Sequence, residues 1–225
     1  MWFANKDNNI ITGTPTIIDA QKDMVILLDA GHAKNTPGKR QKLKDDSYFF
    51  EYLFNRQIVK KIANKLSILG IRYEIITPED NYDVPLSTRV SRANNYCNKY
   101  GKDNCFLISV HSNAYGDGIT FTNSKGWSVY TTKGKTKSDE YATIMWNKAN
   151  QILPRYGFTL RKDITDGDPD YEENFTVIYK TKCPAVLTEN LFFTNEKEVT
   201  FLMSEEGQNA IADIHVEAIK EIVRL

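Results

Sequence analysis

The chain has 225 residues, enough for one large domain or two small ones whose core needs no disulfide or metal for stability. Lysine and arginine number 29, as do aspartate and glutamate, so no net charge recruits nucleic acid or an acidic membrane surface. No apolar run approaches the ~20 residues that span a bilayer, and the N-terminus lacks the pattern of a secretory signal.

Short apolar segments alternate with helical patterns along the chain. Strands are predicted at Met24–Asp29, Arg72–Ile76, Cys105–Val110, Trp127–Thr131, Phe175–Tyr179 and Ala185–Thr188. Helices are predicted at Ser47–Leu69, Ser87–Tyr100, Ser138–Leu153 and Glu205–Leu225, with a short helix begun by Asn195 and Glu198. This order indicates a single α/β domain with an open, mostly parallel twisted sheet and helices on both faces.

The rest of the chain gives weaker predictions. Residues 1–23 are expected to be an N-terminal extension or an extra strand before the domain at 24–225. The polar segment 163–173 is predicted to be a solvated loop, because its acids lack the spacing of an EF-hand calcium loop. The isolated cysteines Cys97, Cys105 and Cys183 are typical of buried thiols rather than of a zinc site.

Three side chains that bind protons or metals follow predicted strands. His32 lies just past the strand that ends at Asp29, His111 follows the apolar run CFLISV, and Glu189 follows AVLT. Ligands of open parallel sheets bind beyond the carboxyl ends of the strands. The three side chains are therefore expected to converge on one edge of the sheet.

A fourth side chain, that of Glu51, lies on the first long helix. The apolar stripe of that helix places Glu51 on its core-facing side. A buried carboxylate needs a cationic partner. Alternatively, Glu51 lies in the first turn, where the helix dipole favours an acid and solvent still reaches it.

Two histidines and one carboxylate are a recurrent ligand set of catalytic zinc, which keeps a fourth position for water. Zinc lowers the pKa of that water to about 7, and a nearby carboxylate can take its proton and return it to a leaving amine. We expect His32, Glu51 and His111 to bind Zn²⁺ and Glu189 to act as the base. His215 lies in the apolar stripe of the last helix and is excluded.

Five motifs extend from Asp29 to Asn195 in the order DAGHAKNTPGK, EYLFN, LSTRVSRAN, SVHSNA and PAVLTENLFFTN. In this order they resemble the zinc-dependent N-acetylmuramoyl-L-alanine amidases, a family that includes many phage endolysins. The resemblance implies His32, Glu51 and His111 as zinc ligands, Glu189 as catalytic acid/base, and residues 24–225 as the catalytic domain. It implies hydrolysis of the amide between N-acetylmuramic acid and L-alanine in bacterial peptidoglycan.

Two positions depart from the family pattern. Ala33 and Leu191 occupy positions where the family often has glycine. We expect both to lie in loops and to alter the substrate groove rather than the metal site.

The role of several other motif residues stays open. Arg89 binds a substrate carboxylate or makes a structural ion pair, and Asp29 is a candidate for orienting a ligand ring. Asn113 orients the loop around His111 or contacts substrate. Trp127, Tyr130 and Tyr171 line a groove or pack against the sheet.

Two other functions are compatible with the candidate site and the motifs. One is a zinc peptidase acting on wall stem peptides, and the other is a cell-wall binding module without catalysis. The expected partner is peptidoglycan, with no nucleic acid and no membrane span, and the chain is expected to be a monomer. Without a signal peptide, it is expected to be made in the cytoplasm and to act on the cell wall as phage lysins do. A secreted enzyme whose leader has been removed is the alternative.

Overall fold

The structure is a computed structural model that describes residues 23–79 and 81–225. The extension expected over residues 1–23 lies, apart from Asp23, outside the described residues. From Asp23 onward, strands and helices follow each other closely, as predicted.

The main sheet has six strands in the order β4-β1-β5-β8-β6-β7. They are β1 (Val25–Ala30), β4 (Tyr73–Ile75), β5 (Cys105–Asn113), β6 (Ser128–Thr131), β7 (Tyr171–Glu172) and β8 (Ala185–Phe192). Only the pairing of β6 with β8 is antiparallel. The predicted mostly parallel sheet is therefore confirmed.

Helices cover both faces of this sheet. They are α1 (Glu51–Leu69), α2 (Leu86–Tyr100), α3 (Lys137–Ile152), α4 (Thr176–Tyr179), α5 (Glu196–Met203) and α6 (Glu205–Ile222). Alternate strand residues pack into two apolar clusters, one with α1, α3 and α6 and the other with α2 and α4. Strands that bury both faces read as continuous apolar runs, which is why β1 and β5 are recognisable in the sequence.

Two predicted elements differ in the structure. Segment Phe175–Tyr179 is not a strand but a helical turn, α4, in which the amide of Tyr179 donates to the carbonyl oxygen of Phe175 at 2.9 Å. Its aromatic and β-branched residues favour a strand locally. The edge position beside β6 is instead taken by β7, which lies inside the predicted loop 163–173.

The helix predicted from Ser47 begins later, at Glu51. Residues Tyr48–Phe50 form strand β3, which pairs with β2 (Arg40–Lys42) in a separate two-stranded sheet. Because of this later start, Glu51 is the first residue of α1, and its side chain lies at the edge of the main sheet. The three cysteines are free and buried, as predicted.

Candidate active site

Three of the predicted site residues meet at the carboxyl edge of the main sheet. Nε2 of His32 lies 3.4 Å from Oε1 of Glu51, and Nδ1 of His111 lies 3.2 Å from the same oxygen. The two imidazole rings are edge to face, with centroids 4.9 Å apart. One ligand atom from each residue lies within 4.8 Å of the other two, a group that could hold a metal ion.

Glu51 is almost completely buried, with 1% of its surface exposed. Its Oε1 accepts hydrogen bonds from Nδ2 of Asn55 and the amide of Ser112, whereas Oε2 is buried without any partner. Burial opposes ionisation, but the hydrogen bond with His111 and the charge of His32 lower the pKa of Glu51 below its usual value. A buried anion with an unsatisfied oxygen beside two imidazoles fits a bound cation.

The pKa values of the two histidines shift in opposite directions. Burial lowers the pKa of His32 to about 4, so its ring is neutral at physiological pH, the form that binds metals. Burial also acts on His111, but its hydrogen bond with Glu51 outweighs this and raises the pKa of His111. The same carboxylate thus favours the protonated form of His111, whereas burial favours the neutral form of His32.

Close packing under His111 fixes the position of its ring. A Cβ on Gly31 would lie 2.2 Å from Cε1 of His111, so only glycine leaves room for the ring. Nδ2 of Asn55 donates to the Gly31 carbonyl oxygen at 3.1 Å, and Arg56 donates to that of His32 at 2.8 Å. Sequence reasoning assigned no role to Gly31, and its position within the motif DAGH was the only signal.

Glu189 lies beside this group, because its position in β8 pairs with His111 in β5. Burial raises the pKa of Glu189 to about 7, although the positive charges of His111, Lys39 and Arg161 oppose the rise. Its Oε2 has no hydrogen-bond partner. A carboxyl group with this pKa can both accept and donate a proton near neutral pH.

A bulge in β8 follows Glu189. The register with β5 shifts between His111 and Asn113, and Leu191 has a φ of 64°, a left-handed conformation that favours glycine. Leu191 lies within β8 and is buried in the core, so the expectation of a loop position that shapes the groove is wrong for this residue. Ala33 does lie in a loop, but it is buried.

Arg89 is a structural residue. Its buried guanidinium donates to Asp29 at 2.8 Å, to Asp83 at 2.9 Å and to the carbonyl oxygen of Val84. The second carboxylate oxygen of Asp29 accepts from Ser109, so Asp29 does not orient a histidine ring. This network holds the end of β1 in place and engages four of the five N–H donors of Arg89, which also lines the groove described below.

The structure also places the other motif residues whose role the sequence left open. Trp127 is completely buried and donates to Oδ1 of Asn190 at 2.7 Å, so it packs rather than lines a groove. Asn113 is the last residue of β5, and its Oδ1 accepts from the amide of the next residue, Ala114. Tyr130 and Tyr171 are partly exposed and stack at 5.3 Å between centroids.

His215, excluded from the sequence prediction, is buried in the core. Its ring contacts the carbonyl oxygen of Ile211 at 2.8 Å and the hydroxyl of Thr188 at 3.0 Å. Within 23–79 and 81–225, the group of His32, Glu51 and His111 is the only one with metal-ligand spacing.

A groove of about 440 Å³ opens beside His32 and His111. Its other lining residues include Thr36, Val84, Pro85, Leu86 and Val177. The candidate metal-binding group thus has open space next to it in which a substrate chain can lie.

Comparison with known proteins identifies the family. The model of the N-acetylmuramoyl-L-alanine amidase family matches residues 26–221. The chain belongs to this family. The resemblance drawn from the five motifs is thereby confirmed, and with it the expectation that the chain is an enzyme of the N-acetylmuramoyl-L-alanine amidase class.

Individual relatives of this amidase agree with that assignment. An endolysin of Bacillus phage SPP1 is 30% identical over 208 residues, which are 89% of this chain but only 66% of the endolysin. An N-acetylmuramoyl-L-alanine amidase from Clostridium difficile 630 is 25% identical, with a TM-score of 0.70 over 90% of this chain and 97% of its own. The catalytic domain of the amidase CwlV from Bacillus (Paenibacillus) polymyxa var. colistinus is 26% identical, with a TM-score of 0.70. The match covers 88% of this chain and 97% of the CwlV domain.

Every helix within residues 23–79 and 81–225 is too short or too polar to span a membrane.

Proposed function

We propose that this chain uses Zn²⁺ to hydrolyse the amide between the lactyl group of N-acetylmuramic acid and the L-alanine of the stem peptide. His32, Glu51 and His111 would hold the metal, and Glu189 would be the catalytic acid/base. The observation that supports this most strongly is the buried Glu51 carboxylate, which has two imidazoles at one oxygen and no partner at the other. Among common protein metals, zinc matches a donor set of two nitrogens and one oxygen.

Zinc, when bound, supplies a Lewis acid that polarises the scissile carbonyl and makes water nucleophilic at neutral pH. Glu189 takes the proton of the attacking water and then returns it to the alanine nitrogen as the amide bond breaks. Its pKa of about 7 suits both transfers. Asn55 and Arg56 hold the loop that carries His32, and Gly31 leaves space for His111, so the site is organised before substrate binds.

The proposed substrate is peptidoglycan, bound by a monomer whose catalytic domain comprises residues 24–225. Similarity to a phage endolysin supports synthesis in the cytoplasm and action on the cell wall. A secreted amidase is the alternative. Because the match covers 66% of that endolysin, the full activity of such a protein is also part of this proposal.

A zinc peptidase acting on stem peptides is the second candidate, since the same ligands would serve any amide. End-group analysis of digested peptidoglycan separates the two. The amidase releases stem peptides with a new N-terminal alanine, leaves bare glycan strands and creates no new reducing ends. New amino termini on other residues would indicate a peptidase, and the absence of products a binding module.

A further inference from the structure

Arg161 has an unusual environment for a partly buried arginine. Its guanidinium carbon lies 5.4 Å from the ring centroid of Tyr171 and 5.4 Å from that of Phe192. Within 23–79 and 81–225, its guanidinium makes no hydrogen bond and no ion pair. Its backbone amide donates a hydrogen bond to Trp127, and its carbonyl oxygen accepts one from the indole of Trp146. The five N–H donors of this side chain are therefore available to a ligand.

The surroundings of Arg161 are rigid. A Cβ on Gly126 would lie 2.9 Å from Cγ of Arg161, so the side chain passes over a position where glycine makes room. The buried carboxylate of Glu198 accepts from the amides of both Gly126 and Phe192, at 2.9 and 2.7 Å. Glu198 thus ties together the backbone beneath the arginine and the strand that carries one of its two aromatic rings.

Arg161 lies on the Glu189 side of the site. Its amide donates to the carbonyl oxygen of Trp127 at 2.8 Å, next to Ser128, which pairs with Glu189 across β6 and β8. Its charge acts on the carboxyl group of Glu189. His32 lies in the other direction, because it follows β1, which pairs with β5 on the side away from β8.

We propose that Arg161 is a specificity residue that binds a carboxylate of the stem peptide, in the residue that follows the L-alanine. This rests on the function proposed above. Glu189 protonates the leaving amine, so the leaving peptide must lie on its side of the site, where Arg161 presents free donors. A guanidinium held against aromatic rings binds a carboxylate through paired N–H contacts. The other arginine considered for this role, Arg89, has four of its five N–H donors engaged within the protein.

The test compares two soluble muramoyl stem peptides that differ only in the residue after the L-alanine, whose α-carboxyl is either free or a primary amide. Native protein should cleave the carboxylate form about 10- to 100-fold more efficiently, the size expected for hydrogen bonds between charged groups. Arg161→Gln should lose this preference, so that the variant cleaves the carboxylate and amide forms with equal efficiency, whatever the loss of its charge does to Glu189 on both substrates. Arg161→Lys should retain only part of the preference, because ammonium cannot make the paired contact.

Lys162→Gln is the matched control, since Lys162 is the adjacent cation and lies over the ring of Trp146, 5.9 Å from its centroid. It should leave the preference unchanged. Calorimetry with the released peptides, in carboxylate and amide forms, measures the same discrimination without catalysis. Equal affinity of native protein for both forms, or an equal loss of both in Arg161→Gln, would overturn the proposal. If native protein cleaves neither substrate, the proposed function fails, and calorimetry still decides the role of Arg161.

Discussion

The imidazole of His111 lies directly against Gly31. A Cβ at position 31 would approach Cε1 of the ring to 2.2 Å and Nδ1 to 2.4 Å. Since the ring also contacts Glu51, it cannot move away without leaving the metal-ligand group. The glycine of the first motif is therefore as necessary to the geometry of the site as the histidine that follows it.

Gly31→Ala should weaken zinc binding by roughly 10- to 100-fold although it removes no ligand, because the His111 ring must move. A competition assay with a chelator measures this. Gly38→Ala in the same loop is the control, since a Cβ there meets nothing within 4 Å. Gly38 has a φ of +73°, so that variant should lose some stability but keep its affinity for zinc. Unchanged affinity in Gly31→Ala would contradict the proposed ligand role of His111.

Glu189→Gln should keep zinc and lose turnover by about 10²–10⁴-fold, because an amide cannot accept the proton of water. Glu51→Gln should instead lose zinc, since a neutral amide is a poor ligand. Metal content by mass spectrometry and turnover on peptidoglycan distinguish the two variants. The opposite pattern would exchange the roles of the two glutamates.

Asp170 should make stability depend on pH. It is buried, its Oδ2 accepts from Thr131 at 2.5 Å, and burial together with contact with Asp168 raises its pKa to about 8. No ion pair among the described residues involves either carboxylate. Because the folded state holds this proton more tightly than the unfolded state, stability falls as pH rises from about 4 to about 8.

Asp170→Asn reproduces the protonated acid, since its amide can donate to Asp168 while its oxygen accepts from Thr131. The excess of its melting temperature over that of native protein should be larger at pH 8.5 than at pH 5. Asp166→Asn, in the exposed part of the same loop, should show no such difference. An offset in the melting temperature of Asp170→Asn that is the same at both pH values would show that Asp170 does not titrate in this way.

Arg89→Met should strongly lower the melting temperature, because it breaks the buried ion pair with Asp29 as well as a partly exposed one with Asp83. Losing one partner of a buried pair costs about 3–5 kcal/mol. Near saturating zinc and below the melting point, the variant should still prefer the carboxylate substrate, because Arg161 and not Arg89 is proposed to bind that group. A selective loss of the preference in Arg89→Met would assign the carboxylate to Arg89.

The elements that sequence reasoning identified are those that local pattern determines. The apolar runs of β1, β5 and β8 are visible because these strands are buried on both faces, and they placed His32, His111 and Glu189 on one edge. Helical spacing likewise placed Glu51 on the core-facing side of α1.

What sequence reasoning missed depends on contacts between distant segments. Strand β3 exists only through its pairing with the polar strand β2, and α4 is helical although its residues favour a strand. The setting of Arg161 combines Gly126, Tyr171, Phe192 and Glu198 from four separate segments. A local sequence pattern cannot predict contacts among segments so far apart in the chain.

The most direct measurement of the central claim is X-ray absorption at the zinc edge of the reconstituted protein, comparing the native chain with His111→Ala. We expect two imidazole nitrogens at about 2.0–2.1 Å, with oxygen ligands completing the shell, and loss of one imidazole in the variant. Sulfur ligands at about 2.3 Å, or a zinc environment unchanged in His111→Ala, would contradict it.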